Sequence, residues 1–184
     1  MPNSLDDAEI HRIVHNVVQN VMGSSERQPA QSSGKKVVAI GADHGGFELK
    51  EALKSDISSL GFEVSDIGTN SKDAVDYPDF AHAVAQAVSA GKAWRGIMID
   101  GAGIGSCIVA NKVPGVRAGM AYDVSSANNS REHNDTNVLT LGAGLIGTAL
   151  AKQIVKVWLT TDFAGGRHSP RVDKIMAVER KYLK

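Results

Sequence analysis

The chain has 184 residues, 42% of them hydrophobic, which suits one compact domain with some length to spare. Lys and Arg together number 20, as do Asp and Glu, so the formal net charge is zero and no basic excess favours nucleic acid or an anionic membrane as partner. Cys107 is the only cysteine, which excludes an intramolecular disulfide and favours a reducing cytoplasm, and no apolar run is long enough to span a bilayer.

Residues 1–22 have the spacing of a short amphipathic helix. Their large apolar side chains recur at steps of three and four and therefore form one stripe. The stripe consists of Ile10, Ile13, Val14, Val17, Val18, Val21 and Met22. Residues 23–36 contain no large apolar side chain and are rich in Ser, Gln and Gly, which predicts a flexible linker before a domain over residues 37–184.

From residue 36 onward, strand-like and helix-like segments alternate. Strands are predicted over 36–41, 62–68, 95–100, 116–122 and 137–142, with helices over 47–61 and 77–91 and after each of the last three strands. This order predicts an α/β fold, a Rossmann-like three-layer α/β/α sandwich around a five-stranded parallel sheet. Ligands of such sheets bind at the carboxyl ends of the strands. The loops that follow the strands are therefore the first place to look for a site.

The loop after the first predicted strand contains Asp43, His44 and two glycines. A carboxylate beside an imidazole can bind sugar hydroxyls or move protons. Asp43 could equally do no more than cap the helix that follows. From this loop alone, the capping interpretation is slightly favoured.

The loop after the third predicted strand is glycine-rich and spans residues 100–106, DGAGIGS. Alternating glycines let successive backbone N–H groups turn inward ahead of a helix N-terminus, which suits a phosphate or a developing oxyanion. The alternative is a dinucleotide-binding fingerprint, because GAGIGS nearly fits G-x-G-x-x-G and Asp123 follows about 20 residues later. That fingerprint normally follows the first strand of its unit, so we consider it the weaker interpretation.

Two polar segments lie closer to the C-terminus. Residues 131–137, REHNDTN, lead into a buried strand, and so dense a polar run is costly unless its groups are paired or used. Arg167 and Arg171 are four residues apart, and if one helix runs through them both could clamp a phosphate. A solvated helix face is the alternative for that pair. The six histidines show no metal-ligand spacing, so no metal site is predicted.

Five segments, taken in order, resemble the type B ribose-5-phosphate isomerase family: ADHGG, DYPDFA, IDGAGIGSCIVANKVPGVRA, REHNDTNVLTLG and GGRHSPRV. That family also contains the two subunits of galactose-6-phosphate isomerase. The resemblance covers essentially all of residues 37–184 and none of 1–35. It implies an aldose–ketose isomerase that interconverts ribose 5-phosphate and ribulose 5-phosphate by moving a proton between C1 and C2 through a cis-enediolate. It also implies no metal or nucleotide cofactor, and a homodimer or homotetramer with active sites between subunits.

The resemblance also implies a role for each matching residue. Asp43 and His133 would be catalytic, with His133 assisting ring opening, and Asp100 occupies the position of the family's base. The substrate-binding residues would be His44, Tyr77, Gly101, Ala102, Gly103, Gly105, Asn134, Arg167, His168 and Arg171. Within that set, the glycines would offer backbone N–H groups to the enediolate, and Arg167, His168 and Arg171 would surround the phosphate.

Three positions depart from the family pattern. Asp100 stands where the usual base is a cysteine, Ala102 where Thr or Ser is common, and Gly144 where many members have arginine. A free carboxylate is already ionised at neutral pH, whereas a thiol must first be activated, so we hypothesise that Asp100 is the base. The departures leave two alternatives open: an isomerase of another phosphosugar, of the galactose 6-phosphate type, or a non-catalytic sugar-phosphate-binding subunit of a hetero-oligomer.

Two interpretations of the stripe on residues 1–22 stay open. It packs on the chain's own domain or another subunit, or it docks a separate partner. A helix, a polar linker and a complete enzyme domain form the arrangement of the tails on enzymes packaged inside bacterial protein microcompartments, which this segment resembles. The second interpretation predicts a microcompartment shell or cargo partner for residues 1–22.

Overall fold

Five strands form one parallel sheet in a computed structural model of the chain, which describes residues 34–183. The strands are β1 (Val37–Ala42), β2 (Glu63–Gly68), β3 (Arg95–Asp100), β4 (Ala118–Met120) and β5 (Val138–Gly142). Their order across the sheet is β2-β1-β3-β5-β4, and each neighbouring pair is parallel. The predicted helix over 1–22 and nearly all of the predicted linker over 23–36 lie outside the described residues.

Helices cover both faces of this sheet. They are α1 (Phe47–Ser59), α2 (Tyr77–Ser89), α3 (Ile104–Ala110), α4 (Val124–Asn134), α5 (Thr148–Thr160) and α6 (Ser169–Tyr182), and a 3₁₀ turn spans Gly166–His168. One apolar cluster joins the sheet to α1 and α5, and a second joins the opposite face to α2 and α3. The predicted three-layer α/β/α sandwich is therefore confirmed.

The alternation of side chains along β3 explains why both faces are apolar. Ile97 and Ile99 enter the cluster with α1 and α5, whereas Met98 between them enters the cluster with α2. Gly96 lets α2 approach closely, because a Cβ built there would lie 2.7 Å from Cγ1 of Val84. A strand whose two faces are both buried carries apolar side chains on each face, as in parallel sheets generally.

Arg95 connects the start of β3 to the end of α5 through hydrogen bonds to backbone carbonyls. Its guanidinium is buried and donates to the carbonyls of Trp158 at 2.7 Å, Leu159 at 3.1 Å and Thr161 at 3.2 Å. Cations are favoured at a helix C-terminus, where carbonyls lack partners. Burial and the nearby charge of Arg131 lower the pKa of Arg95 to about 9, which leaves it protonated at neutral pH.

Two boundaries differ from the predictions. Strand β4 is only Ala118–Met120, shorter than the predicted 116–122, because it is an edge strand that pairs with β5 alone. Helix α4 continues to Asn134, so the first half of the polar run 131–137 is helical. Its charges are paired as expected, since Arg131 Nη1 donates to Asp135 Oδ1 at 2.7 Å.

The parallel strands define two edges of the sheet. The register places Gly96 beside Val138 at the amino edge and Asp100 beside Gly142 at the carboxyl edge. Among the residues that the structure describes, no helix is long and apolar enough to cross a membrane. The same residues contain no group of three or more His, Cys, Asp or Glu side chains placed to hold a metal ion.

Candidate active site

The carboxylate of Asp100 lies at the end of β3 and is bound by its own loop. The residue is only 4% exposed. Oδ1 accepts from the N–H of Ala102 at 2.9 Å and from the N–H of Gly103. Oδ2 accepts from the N–H of Ser106 at 3.1 Å and from the hydroxyl of Ser106. A carboxylate offers about four lone-pair positions, so donors of the protein occupy all of them in this structure.

The loops after β3 and β5 pack against each other through glycines. Gly103 has a φ of +79°, and a Cβ there would lie 2.9 Å from the carbonyl carbon of Leu141. On the other side, a Cβ on Gly142 would lie 2.6 Å from the carbonyl oxygen of Ala102. Only glycine fits both positions. This contact fixes the backbone of the glycine-rich loop at the carboxyl edge of the sheet.

The loop after β1 lies beside the glycine-rich loop. Asp43 is 8% exposed, and its Oδ1 accepts from the N–H of Gly46 at 2.9 Å. Gly46, not Asp43, is the N-cap of α1 and directly precedes the first residue of that helix, Phe47. A Cβ on Gly45 would lie 3.4 Å from Asp43 Oδ1 and 3.8 Å from the Gly101 nitrogen. Asp43 is therefore close to the loop that follows Asp100.

Tyr77 and His44 complete the carboxyl edge. Tyr77 begins α2, and a Cβ on Gly105 would lie 2.6 Å from its hydroxyl oxygen, so the ring lies directly on that glycine. His44 is exposed, and its Nδ1 lies 3.1 Å from the carbonyl oxygen of Val75. The structure thus brings Asp43, Tyr77 and the residue 100–106 loop together, with His44 in the adjoining turn.

His133 and His168 form the centre of a second group. Their rings stack with centroids 4.1 Å apart and planes 7° apart. His133 lies in the last turn of α4, where its Nδ1 is 2.9 Å from Asn129 Nδ2. His168 is 8% exposed and accepts from Arg167 Nε at 3.3 Å through its Nε2. We call His133, Arg167, His168 and Arg171 the histidine–arginine cluster; Asn134 is exposed beside it.

A single helix does not run through both arginines. Arg167 lies in the 3₁₀ turn, and α6 begins only at Ser169, so the predicted helical i, i+4 face does not form. The positive charges of both guanidiniums nevertheless affect the pKa of His168. Burial, followed by the charges of His133, Arg167 and Arg171, lowers the pKa of His168 below its ordinary value. A neutral histidine flanked by cationic side chains is suited to bind an anion.

Within one chain, the two groups lie at opposite edges of the sheet. Asp100 ends β3, whereas α4 runs back across the sheet and places His133 before β5. The end of α4 is held there by the segment after α5, because the Ala164 N–H donates to the Glu132 carbonyl at 3.0 Å. The five residues of β5 alone separate the two edges by roughly 13 Å. The loops that follow the strands therefore do not hold all of the predicted site residues of a single chain.

The structure shows what surrounds the positions that depart from the family pattern. Ala102 is half-buried, and its carbonyl accepts from the Tyr122 hydroxyl at 3.0 Å. Gly144 is exposed, and a Cβ there would lie 3.0 Å from the Gly101 carbonyl oxygen. Cys107 cannot replace the missing family cysteine, because its Sγ faces the Ala118 carbonyl at 3.6 Å and burial raises its pKa.

Sequence reasoning missed Ser106, which binds Asp100 through both its N–H and its hydroxyl. The available signal was a serine in the first turn of a helix that follows a carboxylate and a glycine-rich loop. The structure does not support the dinucleotide-binding interpretation of the glycine-rich loop. Asp123 caps α4 by accepting from the Ser126 N–H at 2.8 Å, so its carboxylate is used within the fold.

Comparison with known proteins places these features in a family. Residues 38–175 match the family model described as Ribose/Galactose Isomerase. The ribose-5-phosphate isomerase B of Escherichia coli strain K12 is 46% identical over 146 residues, which cover 79% of this chain and 98% of that protein. The D-erythrulose-4-phosphate isomerase of Pectobacterium atrosepticum is 42% identical over 139 residues, covering 75% of this chain and 91% of that protein.

A solved structure agrees with the sequence comparison. The ribose-5-phosphate isomerase B of Clostridium thermocellum superimposes with a TM-score of 0.78 at 48% identity, covering 80% of this chain and 99% of that chain. The similarity extends over nearly the whole length of each relative and over the motifs at both edges of the sheet. The chain therefore belongs to the ribose/galactose isomerase family.

Proposed function

We propose that this protein is an aldose–ketose isomerase that interconverts ribose 5-phosphate and ribulose 5-phosphate. The observation that carries the proposal is the 46% identity to the Escherichia coli ribose-5-phosphate isomerase B over 98% of that protein. The chemistry of the site fits, because its carboxylates can move protons and its histidine–arginine cluster can bind a phosphate. The reaction consists of proton transfers alone, so the proposal includes no metal and no nucleotide cofactor.

In the proposed reaction, Asp100 is the proton acceptor. Its carboxylate takes the proton from C2 of the open-chain aldose, and the electron pair of that C–H bond becomes the C1–C2 double bond of a cis-enediolate. Negative charge moves to O1, where the N–H groups of Gly101 and Gly105 stabilise it. The proton then returns to C1, and the hydroxyl proton of O2 passes to O1, which gives the ketose. The N–H of Gly103 contributes indirectly, since it already donates to Asp100.

The remaining site residues are assigned to substrate binding and ring opening. Asp43 and His44 contact the sugar and its ring oxygen, and the Tyr77 ring lines the pocket beside Ala102. His133 assists ring opening. The phosphate is bound by three members of the histidine–arginine cluster, Arg167, His168 and Arg171, and by Asn134 beside the cluster.

A second copy of the chain completes this site. One chain holds Asp100 and the histidine–arginine cluster at opposite edges of its sheet, whereas one sugar phosphate must contact both. Exposed apolar side chains lie near each group: Ile104 and Ile108 on α3 are 51% and 57% exposed, and Ile175 and Val178 on α6 are 47% and 54% exposed. Such surfaces are typical of subunit contacts. We therefore propose a homodimer, or a homotetramer built from such dimers, with each site shared between two chains.

The test of the proposed function is an isomerase assay with the purified homo-oligomer. Asp100→Asn removes the proton acceptor but keeps the shape of the side chain, so kcat for ribose 5-phosphate should fall by at least about 10³-fold. Asp123→Asn is the matched control, because asparagine caps a helix as well as aspartate does and the residue has no assigned role in the reaction. Turnover by Asp100→Asn close to wild type would reject Asp100 as the proton acceptor.

A different phosphosugar is the second candidate substrate. The observation that favours it is the 42% identity to an enzyme named D-erythrulose-4-phosphate isomerase, together with the changed residues Asp100 and Gly144. A panel of aldose and ketose phosphates, including ribose 5-phosphate and galactose 6-phosphate, decides between them by kcat/KM. A chain that binds these sugars but isomerises none would instead be the non-catalytic subunit of a hetero-oligomer.

For residues 1–22, we propose a docking role separate from catalysis, inside a bacterial microcompartment or elsewhere in the cytoplasm. Two observations support this: the apolar stripe belongs to a segment outside the family match over 38–175, and a polar linker separates the two. A variant without residues 1–35 should keep the melting temperature and kcat of the full chain, yet no longer co-sediment with purified microcompartment shells. Unfolding of the truncated protein would show that the stripe belongs to the domain instead.

A further inference from the structure

Ser106 donates two hydrogen bonds to one of the two carboxylate oxygens of Asp100. Its side chain is fully buried in the first turn of α3, and both its N–H and its hydroxyl donate to Asp100 Oδ2. The other oxygen, Oδ1, is held by the N–H groups of Ala102 and Gly103. A carboxylate with every lone pair occupied has no free position for a substrate proton. At least one hydrogen bond must therefore open before Asp100 can act as a base.

The four donors are not equally able to move. Three are backbone N–H groups, fixed by the glycine-rich loop and by the start of α3. The Ser106 hydroxyl can leave Oδ2 by rotation about a single bond, which requires no change in the backbone. Because the hydroxyl also has lone pairs, it can afterwards accept a hydrogen bond from the protonated carboxyl group. The hydroxyl can thus adapt to both protonation states of Asp100.

We propose that Ser106 is a positioning residue whose hydroxyl holds Asp100 Oδ2 in the resting site and releases it when Asp100 takes the proton from the substrate. This inference rests on the proposed function and deepens it. In the step itself, the proton moves from C2 of the sugar to Oδ2, while the C–H electron pair enters the enediolate. The Ser106 hydroxyl keeps its own proton and reverses its role from donor to acceptor.

Other ionisable groups near the loop do not account for this contact. Asp43 and Tyr122 lie in the turns after β1 and β4, and Tyr77 lies at the start of α2; Tyr122 donates to Ala102 rather than to Asp100. The Cys107 thiol on α3 faces the Ala118 carbonyl. Within residues 34–183, Ser106 is the only side chain that hydrogen-bonds to the Asp100 carboxylate. Ser106 itself is fully buried and so does not reach the sugar.

The test is a series at position 106 in the full-length protein, with rate profiles against pH for ribose 5-phosphate. In Ser106→Ala the carboxylate loses a donor, so the acid limb of kcat should move up by about one pH unit. The thiol of Ser106→Cys is a weaker donor, so its acid limb should lie between those of the alanine variant and the wild type. Ser106→Thr keeps a hydroxyl and should restore the wild-type limb. KM should change less than about twofold throughout, since Ser106 contacts no substrate.

Infrared difference spectra of wild type minus Asp100→Asn give a readout that needs no turnover. The stretching band of the Asp100 carboxylate should shift in frequency in Ser106→Ala, because one of its oxygens loses a hydrogen-bond donor. Two results would overturn the inference. One is that the acid limbs of the variants fall in the order of side-chain volume, with serine between alanine and cysteine. The other is that neither the acid limb nor the carboxylate band changes in Ser106→Ala. Failure of the proposed function is distinct: wild type would then leave ribose 5-phosphate unchanged while the band still responded to Ser106→Ala.

Discussion

His168 is a residue whose surroundings favour its neutral form. It is largely buried, it stacks on His133, and its Nε2 accepts from Arg167 Nε. Burial and the neighbouring positive charges lower its pKa from the ordinary 6.5. The unfolded chain therefore binds this proton more readily, so His168 reduces stability as the pH falls through about 6.5. A bound phosphate would reverse the effect, because its negative charge favours the protonated imidazole.

The first prediction concerns Arg167 and this titration. Arg167→Ala removes both a positive charge and a donor to the neutral imidazole, so the pKa of His168 should rise toward its ordinary value. Arg167→Lys keeps the charge and should produce a smaller rise. Proton NMR titration of the histidine ring resonances measures both variants, with exposed His82 on α2 as the internal reference. An unchanged His168 titration in Arg167→Ala would contradict the assigned contact.

Each loop at the carboxyl edge depends on glycines where it meets a neighbouring strand. At the start of α1, a Cβ on Gly46 would lie 2.3 Å from the carbonyl oxygen of Ile99. That atom belongs to the backbone of a central strand and cannot move aside cheaply. Helix α1 itself is fixed to β2 by the buried Lys50, whose Nζ lies 2.7 Å from Asp66 Oδ1. The position of Asp43 therefore follows from how closely these elements pack.

The second prediction tests that packing. Gly46→Ala should destabilise the protein by about 2 kcal/mol or more, because the added methyl group overlaps backbone atoms. Gly101→Ala serves as the control for stability, since a Cβ there meets nothing within 4 Å. Thermal unfolding should show a melting temperature lowered by roughly 6 °C for Gly46→Ala and nearly unchanged for Gly101→Ala. Equal melting temperatures would mean that α1 can move away from β3 at little cost.

At the scale of the whole molecule, the site residues are divided between the two edges of the sheet. Asp100 ends β3, whereas the histidine–arginine cluster lies at the end of α4, in the 3₁₀ turn and in the first turn of α6. A sugar phosphate bound to Asp100 of one chain can reach such a cluster only on a second chain. The proposed shared site therefore needs two copies of the chain, which the following experiment tests.

The third prediction follows from that division. Asp100→Asn and His133→Ala should each inactivate the homo-oligomer, but chains of the two variants mixed after unfolding and refolded together should regain activity. In a mixed dimer one of the two sites receives both intact residues, so random pairing should restore about a quarter of wild-type kcat. A mixture that stays inactive, although native mass spectrometry shows mixed dimers, would place both residues in the site of one chain.

Much of the fold was determined by local sequence patterns. The alternation of apolar residues and the glycines at segment ends predicted β3 over 95–100, where the structure has Arg95–Asp100. The order of strands and helices likewise led to the parallel sheet, because βα repeats with short connections permit few other topologies. The loops after β1 and β3 could be assigned to one edge for the same reason, which is why Asp43 and Asp100 were predicted to lie together.

Only the tertiary structure decided which edge holds His133 and what Asp100 binds. The position of His133 depends on α4 running back across the sheet, and the polar run that contains it was predicted as an approach to a strand rather than as the end of a helix. The bond between Ser106 and Asp100 depends on the angle at which α3 leaves the glycine-rich loop. Periodicity reports which residues are buried in each element, but the directions of side chains between elements are set by packing, which no local pattern encodes.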